Sequence, residues 1–129
     1  MSKLEGVIHS FSQEVDGHRC DLDLLENYLN VKNVNGIFLE LGACDGISYS
    51  NTAALEKYLN YTGVLIEAGK NYYNDLIYFR GKNNKCFNCL VSEKEGYTDY
   101  IGDGRGVGGE LERLKEKKNN DDVSWIDLW

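Results

Sequence analysis

The sequence predicts an α/β fold: a Rossmann-like parallel sheet with helices on both faces, apparently truncated at its fourth strand. Two observations indicate this fold. Short apolar runs alternate with helix-length segments, which is typical of parallel strands joined by crossover helices. A glycine-rich turn follows the first apolar run, and an acid ends the second. With 129 residues, the chain is long enough to form one hydrophobic core.

We expect residues 1–129 to form a single domain with three parts. Residues 1–35 are predicted to hold a polar leader and one helix. Residues 36–92 form a β-α-β-α-β core that would carry the ligand site. Residues 93–129 are predicted to contain a hairpin, a glycine-rich loop, a helix and the start of a fourth strand.

The core elements follow from local patterns. Residues 37–41 and 63–67 are short, β-rich apolar runs of the kind that form buried parallel strands. Between them, residues 50–52 are Ser, Asn and Thr, which favour a helix start, and Leu55, Tyr58 and Leu59 would form the face packed on the sheet. A helix over 70–80 and a third strand over 85–91 complete the core.

The flanking elements are predicted in the same way. Residues 21–32 show a helical spacing of leucines, with acids in the first turn where they suit the helix dipole. Residues 97–101 alternate in polarity like an edge strand, and residues 110–118 have helical character. Residues 123–129 read as the beginning of the fourth strand, at which the chain stops.

The turn after the first strand predicts the class of ligand. Residues 40–46 read E-x-G-x-x-x-G, whereas dinucleotide sites use G-x-G-x-x-G so that a pyrophosphate can approach the helix. An acid at this turn would repel a phosphate but would favour the ammonium and sulfonium of S-adenosylmethionine. We interpret Glu40 or Asp45 as the partner of the methionine amine, and Glu67 as the ribose ligand.

Nine residues are candidate cofactor ligands. The Gly42-Ala43 backbone would lie under the ligand, and Ser92, after the third strand, would lie near the adenine. The full set is Glu40, Gly42, Ala43, Asp45, Gly46, Asn51, Thr52, Glu67 and Ser92. No catalytic residue and no metal ligand is assigned. Asp45 and Asp127 are the acids considered as a general base, and neither is chosen.

Residues 39–67, LELGACDGISYSNTAALEKYLNYTGVLIE, with Tyr72, Tyr73, Leu76 and Arg80 after them, resemble the FkbM family of class I methyltransferases. The resemblance spans roughly residues 10–129 and rests on the E-x-G-A-x-D-G turn, the S-N-T helix start and the terminal I-E. It implies methylation of a hydroxyl on a sugar or other small molecule, with S-adenosylmethionine as donor. The family usually has a proline where this chain has Ala68.

Composition limits the partners. The net charge of -7 argues against a nucleic-acid surface, and no apolar run has the length of a signal peptide core or membrane span. We therefore expect a cytoplasmic protein with a small-molecule acceptor. A half sheet would expose a strand edge, so a homo-oligomer or a partner chain is expected to cover it. The alternative is a truncated, non-catalytic remnant that binds the cofactor or only self-associates.

Three other features have two interpretations each. Cys86 and Cys89 form a C-x-x-C, but without a second pair we expect both to pack as small apolar residues. Residues 104–109 match G-x-G-x-x-G, yet a polar strand precedes them, which favours a surface loop. Cys44, at a helix N-terminus, is either a reactive thiol or a tolerated small residue, and we favour the second.

Overall fold

The computed structural model describes residues 8–29, 34–102 and 108–110. The chain separates into two compact units, Met1–Leu90 and Val91–Trp129. Elements of the first unit are β1 (Glu14–Val15), β2 (His18–Arg19), α1 (Cys20–Asn27), β3 (Ile37–Leu41), α2 (Ala53–Leu59), β4 (Thr62–Ile66), α3 (Lys70–Arg80) and β5 (Lys85–Phe87). None of the described helices has the length and apolar character needed to cross a membrane.

Three parallel strands form the sheet of the first unit. The strand order is β3-β4-β5, with Ile37 opposite Thr62 and Val64 opposite Lys85. The helices α2 and α3 connect successive strands. The predicted β-α-β-α-β order and the parallel sheet are therefore confirmed. Right-handed crossovers that run in one direction along a sheet place both helices on the same face.

That face of the sheet holds one of the two apolar clusters. Leu65 of β4 and Leu76 of α3 are fully buried, and Ala43 lies with them. Residues of β3 that alternate with Glu40 point to the opposite face, where Ile37 is 85% exposed and Leu39 is 62% exposed. Within the described residues, α2 and α3 lie on one face of the sheet, so the expectation of helices on both faces is not confirmed.

The second cluster lies between helices. Leu55 and Leu59 of α2 pack with Leu25 of α1, and Leu29 and Phe11 are partly buried against them. The face of α2 predicted to pack on the sheet thus packs mainly on α1 and on the segment before it. The spacing of apolar residues indicates which face of a helix is buried but not which element buries it. The prediction that this face packs on the sheet was therefore wrong.

Two predicted elements are shorter in the structure. The helix predicted over 21–32 ends at Asn27, because Tyr28 leaves helical geometry (φ -123°) and Leu29 N returns to the carbonyl of Leu24. Residues 30–32 lie outside the described residues. The strand predicted over 85–91 ends at Phe87, after which the Asn88 side chain donates to the carbonyl of Glu67, the residue that follows β4.

One element was not predicted. The strands β1 and β2 form a hairpin, with Asp16 (φ 51°) and Gly17 (φ 80°) as its two turn residues. Both turn residues have positive φ, which a type I′ turn requires and which Asp-Gly favours. The Asp-Gly pair in the leader was the signal for it.

The second unit contains a hairpin of its own. Strand β6 (Tyr100–Gly102) pairs antiparallel with β7 (Gly108–Glu110). The predicted hairpin is confirmed, although its first strand begins three residues later than expected. Part of the predicted loop over 104–109 belongs to β7, since Gly108 and Gly109 are strand residues. The helix predicted over 110–118 begins at Glu110, which is instead the last residue of β7, and its residues 111–118 and the fourth strand predicted over 123–129 lie outside the described residues.

Candidate functional site

The turn after β3 folds onto the carboxyl end of β4. The amides of Gly42 and Ala43 both donate to the carbonyl oxygen of Ile66, at 2.9 and 3.0 Å. Gly42 has φ 70°, a conformation that glycine adopts without strain. The turn closes where Gly46 N donates to the carbonyl of Ala43 at 2.8 Å. Backbone from two consecutive β-α connections therefore meets at one edge of the sheet.

Glu67 lies at this meeting point, directly after β4. Its Oε2 accepts a hydrogen bond from Cys44 N at 2.8 Å, and its Oε1 accepts one from Gly69 N at 2.7 Å. The side chain is buried, with 5% of the residue exposed. Each carboxylate oxygen can accept more than one hydrogen bond, so both oxygens retain acceptor capacity. The acid identified from sequence thus contacts the glycine turn.

A residue that the sequence prediction missed holds the backbone of Glu67 in place. The side-chain amide of Asn88, just after β5, donates to the carbonyls of Glu67 (2.8 Å) and Ala68 (3.0 Å). The amide of Glu67 donates to the carbonyl of Phe87 at 3.0 Å. An asparagine directly after a strand was the available signal, because such a side chain can replace backbone pairing.

Asp45 stabilises its own turn. Its Oδ1 accepts hydrogen bonds from Ile47 N at 2.9 Å and from Ser48 N at 2.7 Å, and its Oδ2 accepts one from Ser48 Oγ at 2.8 Å. This is the Asx-turn geometry that aspartate commonly adopts. The carboxylate is half-buried and fixes the chain between Gly46 and the start of α2.

Glu40 lies under the start of α2 and is buried. Its Oε2 accepts hydrogen bonds from Ser50 Oγ (2.9 Å) and Thr52 Oγ1, and its Oε1 accepts one from Asn51 N (2.9 Å). Ser50 Oγ in turn accepts the amides of Thr52 at 3.2 Å and Ala53 at 3.0 Å, the N-cap and the first residue of α2. The structure therefore brings Glu40, Asn51 and Thr52 together, as a support for the loop.

Arg80, at the end of α3, reaches the same cluster and was not predicted as a site residue. Its Nη1 donates to the carbonyl of Gly46 at 3.2 Å and to Ser50 Oγ at 3.1 Å, and lies 3.4 Å from Glu40 Oε2. Its Nε pairs with Glu56 Oε2 at 2.8 Å. The residue is 3% exposed. The sequence signal was that Arg80 follows the core residue Leu76 by four positions. This spacing places the arginine on the apolar face of α3.

The packing of α3 explains the second glycine of the motif. Gly46 has φ 85°, and a Cβ at this position would lie 2.7 Å from Leu76 Cδ1 and 3.0 Å from Arg80 Cδ. Neither contact leaves room for a side chain. Gly42 and Gly46 are both among the predicted cofactor ligands, but the close neighbours of Gly46 are residues of the protein's own helix α3.

The cysteines have different environments. The pKa of Cys44 is raised to about 11, first by burial and then by the nearby Glu67 and Asp45 carboxylates. Cys44 lies in the turn well before α2 begins at Ala53, so it is not at a helix N-terminus, and its raised pKa favours a tolerated small residue over a reactive thiol. Cys86 packs against the core and burial raises its pKa, as expected for a small apolar residue, whereas Cys89 is exposed and the prediction for it was wrong.

Ser92 belongs to the second unit, where it is exposed and its Oγ accepts a hydrogen bond from Lys94 N at 3.3 Å. A cavity of about 450 Å³ lies on the first unit, lined by residues 10–14, Arg19 and residues 47–49. None of the nine predicted cofactor ligands lines this cavity. Over the part of the chain that the structure describes, no group of three or more His, Cys, Asp or Glu side chains is arranged to hold a metal ion.

Comparison of the chain with family models, with curated proteins and with solved structures finds no match. The resemblance to the FkbM family therefore rests on sequence motifs alone, and the activity it implies stays a prediction.

Proposed function

We propose that the chain binds S-adenosylmethionine in a Rossmann-like arrangement at the carboxyl ends of β3 and β4. The observation that carries the proposal is the position of Glu67, whose carboxylate lies directly after β4 and hydrogen-bonds the turn at Cys44 N. In open α/β sheets, ligands bind outside the carboxyl ends of the strands, and an acid at the end of the second strand accepts ribose hydroxyls. The remaining acceptor capacity of Glu67 suits that role.

The charge of the site favours a cationic ligand. Two carboxylates lie at this turn: Glu67 accepts the amide of Cys44, and Asp45 accepts the amide of Ile47. Both raise the pKa of the Cys44 thiol. A phosphate-bearing cofactor would be disfavoured there, whereas the ammonium and sulfonium of S-adenosylmethionine would be stabilised. Of the two acids predicted to pair with the amine, Asp45 fits better, because Glu40 is buried among four donors.

The activity we propose is that of a FkbM-type methyltransferase acting on a hydroxyl of a sugar or other small molecule in the cytosol. The cofactor, when bound, supplies a methyl group already activated for displacement. The protein then has to align donor and acceptor at about 3 to 3.5 Å. Gly42 and Ala43 would form the surface under the ligand, and Glu67 would fix the ribose. We assign no general base among the described residues.

Calorimetric titration with S-adenosylmethionine and S-adenosylhomocysteine tests cofactor binding. We expect the wild-type chain to bind both, and Glu67→Gln to bind at least about tenfold more weakly, equivalent to about 1.4 kcal/mol. Asp75→Asn, which changes an exposed acid on α3, is the matched control and should bind like wild type. Absence of binding of either ligand to the wild-type chain at millimolar concentration would refute the proposal.

A second candidate function, self-association, is supported by the uncovered sheet face. Ile37, Leu39 and Leu41 are 85%, 62% and 55% exposed, although parallel sheets normally bury both faces. We propose that a second copy covers this face, since an apolar surface can pair with itself about a twofold axis. Self-association does not require methyl transfer. It is therefore also compatible with the alternative, a truncated and non-catalytic remnant.

Light scattering after gel filtration tests the association. We expect a concentration-dependent dimer for the wild-type chain and a monomer for Leu39→Lys, because a lysine in the centre of the face would be desolvated by the second copy. Asn74→Lys, which adds the same single charge at an exposed position on α3, is the control for the effect of charge alone. A wild-type monomer at all concentrations would exclude the second copy, and a monomer that binds another polypeptide would indicate a partner chain.

A further inference from the structure

We propose that Arg80 and Glu40 are positioning residues: without touching the ligand, they fix the loop that frames the nucleoside site. The loop, residues 42–52, joins β3 to α2. The nature of its ligand rests on the function proposed above. The conformation of the loop and its dependence on Arg80 rest only on the contacts within the protein.

The guanidinium of Arg80 connects both ends of the loop. It donates to the carbonyl of Gly46 at 3.2 Å near the start, and to Ser50 Oγ and Thr52 Oγ1, each at 3.1 Å, near the end. These partners lie 28 to 34 residues away in sequence, so the loop takes this conformation only when α3 is docked. A planar group with five donors can reach all three positions at once, which a lysine ammonium on a single stem cannot.

Glu40 holds the other side of the same loop. It accepts hydrogen bonds from Ser50 Oγ, Asn51 N and Thr52 Oγ1, and lies 3.4 Å from Arg80 Nη1. Arg80 and Glu40 are 3% and 9% exposed, so both charges have lost most of their water. Together they satisfy polar atoms of the loop from inside the fold.

Stability alone is a poor reason for such a buried pair. Desolvation of two charges offsets much of their attraction, and apolar residues of similar volume often stabilise a core equally well. What the pair adds is one defined conformation of the loop. Hydrogen bonds are directional, so the pair forms all of them only when the loop residues are in one arrangement. A binding loop that is already ordered loses less entropy when the ligand arrives, and the affinity rises accordingly.

The experiment compares Arg80→Met with Leu59→Ala. The first keeps most of the side-chain volume but removes the donors, while the second weakens the core between α1 and α2, away from the loop. Amide hydrogen exchange is followed without ligand at Gly46, Ile47 and Ser48, whose amides are hydrogen-bonded within the turn. We expect Arg80→Met to accelerate exchange at these amides at least tenfold more than in β4, and Leu59→Ala to affect both regions alike.

Calorimetry with S-adenosylhomocysteine on the same variants gives the second readout. We expect about tenfold weaker binding for Arg80→Met and near wild-type affinity for Leu59→Ala, both measured well below their melting temperatures. Arg80→Lys should recover thermal stability more than affinity. If Arg80→Met does not fold, Glu40→Gln replaces it, with accelerated exchange again expected at the turn.

The outcomes separate the two proposals. Selective loosening of the turn in Arg80→Met supports the positioning role even if the wild-type chain binds no nucleoside, in which case only the proposed function fails. Exchange that rises equally in the turn and in β4, or stays at the wild-type rate in the turn, overturns the positioning role whether or not the nucleoside binds. Unchanged affinity alongside a loosened turn shows that the loop is held but not used for binding, and it also overturns the proposal.

Discussion

Asp21 and Ser12 hold each other through reciprocal hydrogen bonds. Asp21 Oδ2 accepts the amide of Ser12 at 3.2 Å, and the amide of Asp21 donates to Ser12 Oγ at 3.0 Å. Both residues are almost completely buried. Ser12 Oγ also lies 2.7 Å from Asn51 Oδ1, in the loop before α2. The segment before β1, the start of α1 and the candidate site are therefore joined by one polar cluster.

Replacement of Asp21 by Ala should strongly destabilise the first unit. It would leave the amides of Phe11 and Ser12 and the hydroxyl of Ser10 without their acceptor. Buried donors that lose a partner cost about 1–3 kcal/mol each, and part of this is recovered by relaxation, so we expect a loss of about 3 kcal/mol. Urea unfolding measures it. Glu26→Gln, exposed on the same helix, should change stability by less than about 0.5 kcal/mol.

The stability should also depend on pH through Asp21. Burial by itself would raise the pKa of this carboxyl, but the hydrogen bonds from Ser10, Phe11 and Ser12 together lower it below its ordinary value of 3.8. A lowered folded-state pKa means that the stabilisation is complete above the unfolded value and is lost as the pH falls through the folded one. Between neutral pH and about pH 5 we expect no contribution to the slope from Asp21, and below about pH 5 a decline that is smaller in Asp21→Asn. An identical acid slope in both proteins would contradict the assignment.

The order of the elements could be predicted because each element carries its own local pattern. Ile37 to Leu41 and Gly63 to Ile66 are short apolar runs between turn residues, and their length and flanking glycines favour strands over helices. The acid at position 67 could be placed near the glycine turn for the same reason, since parallel strands present their carboxyl ends at one edge.

The partners across the fold could not be predicted in this way. Arg80 and Glu40 are 40 residues apart, and no local pattern indicates that an arginine on an amphipathic helix points inwards. The apolar run of β3 predicted burial on both faces of the sheet, yet one face is exposed. An apolar side chain favours burial, but its sequence does not indicate which element will cover it.

Substitution of Gly46 by Ala tests the packing of α3 on the turn. The φ of 85° costs an alanine about 1–2 kcal/mol, and the contacts of its Cβ with Leu76 and Arg80 would add about 1–3 kcal/mol. Gly17→Ala is a matched control, since Gly17 has φ 80° but nothing within 4 Å of its Cβ position. Thermal unfolding should show a clearly larger loss for Gly46→Ala than for Gly17→Ala. Equal losses would mean that backbone strain alone requires a glycine at position 46.

The thiol of Cys44 should react slowly with iodoacetamide. With a pKa of about 11, it carries about 0.3% thiolate at pH 8.5, so we expect alkylation on the order of 100-fold slower than at the exposed Cys89. Mass spectrometry of the labelled peptides measures both rates in one sample. Glu67→Gln removes a negative charge near the thiol, which lowers the pKa and should accelerate labelling of Cys44. Asp75→Asn should leave the rate unchanged, and rapid labelling of Cys44 in the wild-type chain would contradict the predicted burial and field.

Two leucines of the same sheet should respond very differently to truncation. Leu65 of β4 is fully buried against α3, whereas Leu41 of β3 points to the opposite face and is 55% exposed. Leu65→Ala removes buried methyl groups and leaves a cavity, for which we expect a loss of about 3–4 kcal/mol. Leu41→Ala should cost less than about 1 kcal/mol at micromolar concentration, where the proposed dimer is dissociated, because its side chain has little burial to lose. Urea unfolding at two protein concentrations measures both effects, and a cost at Leu41 that grows with concentration would show a second copy covering this face. A cost at Leu41 as large as that at Leu65 in dilute solution would mean that the chain itself covers the face.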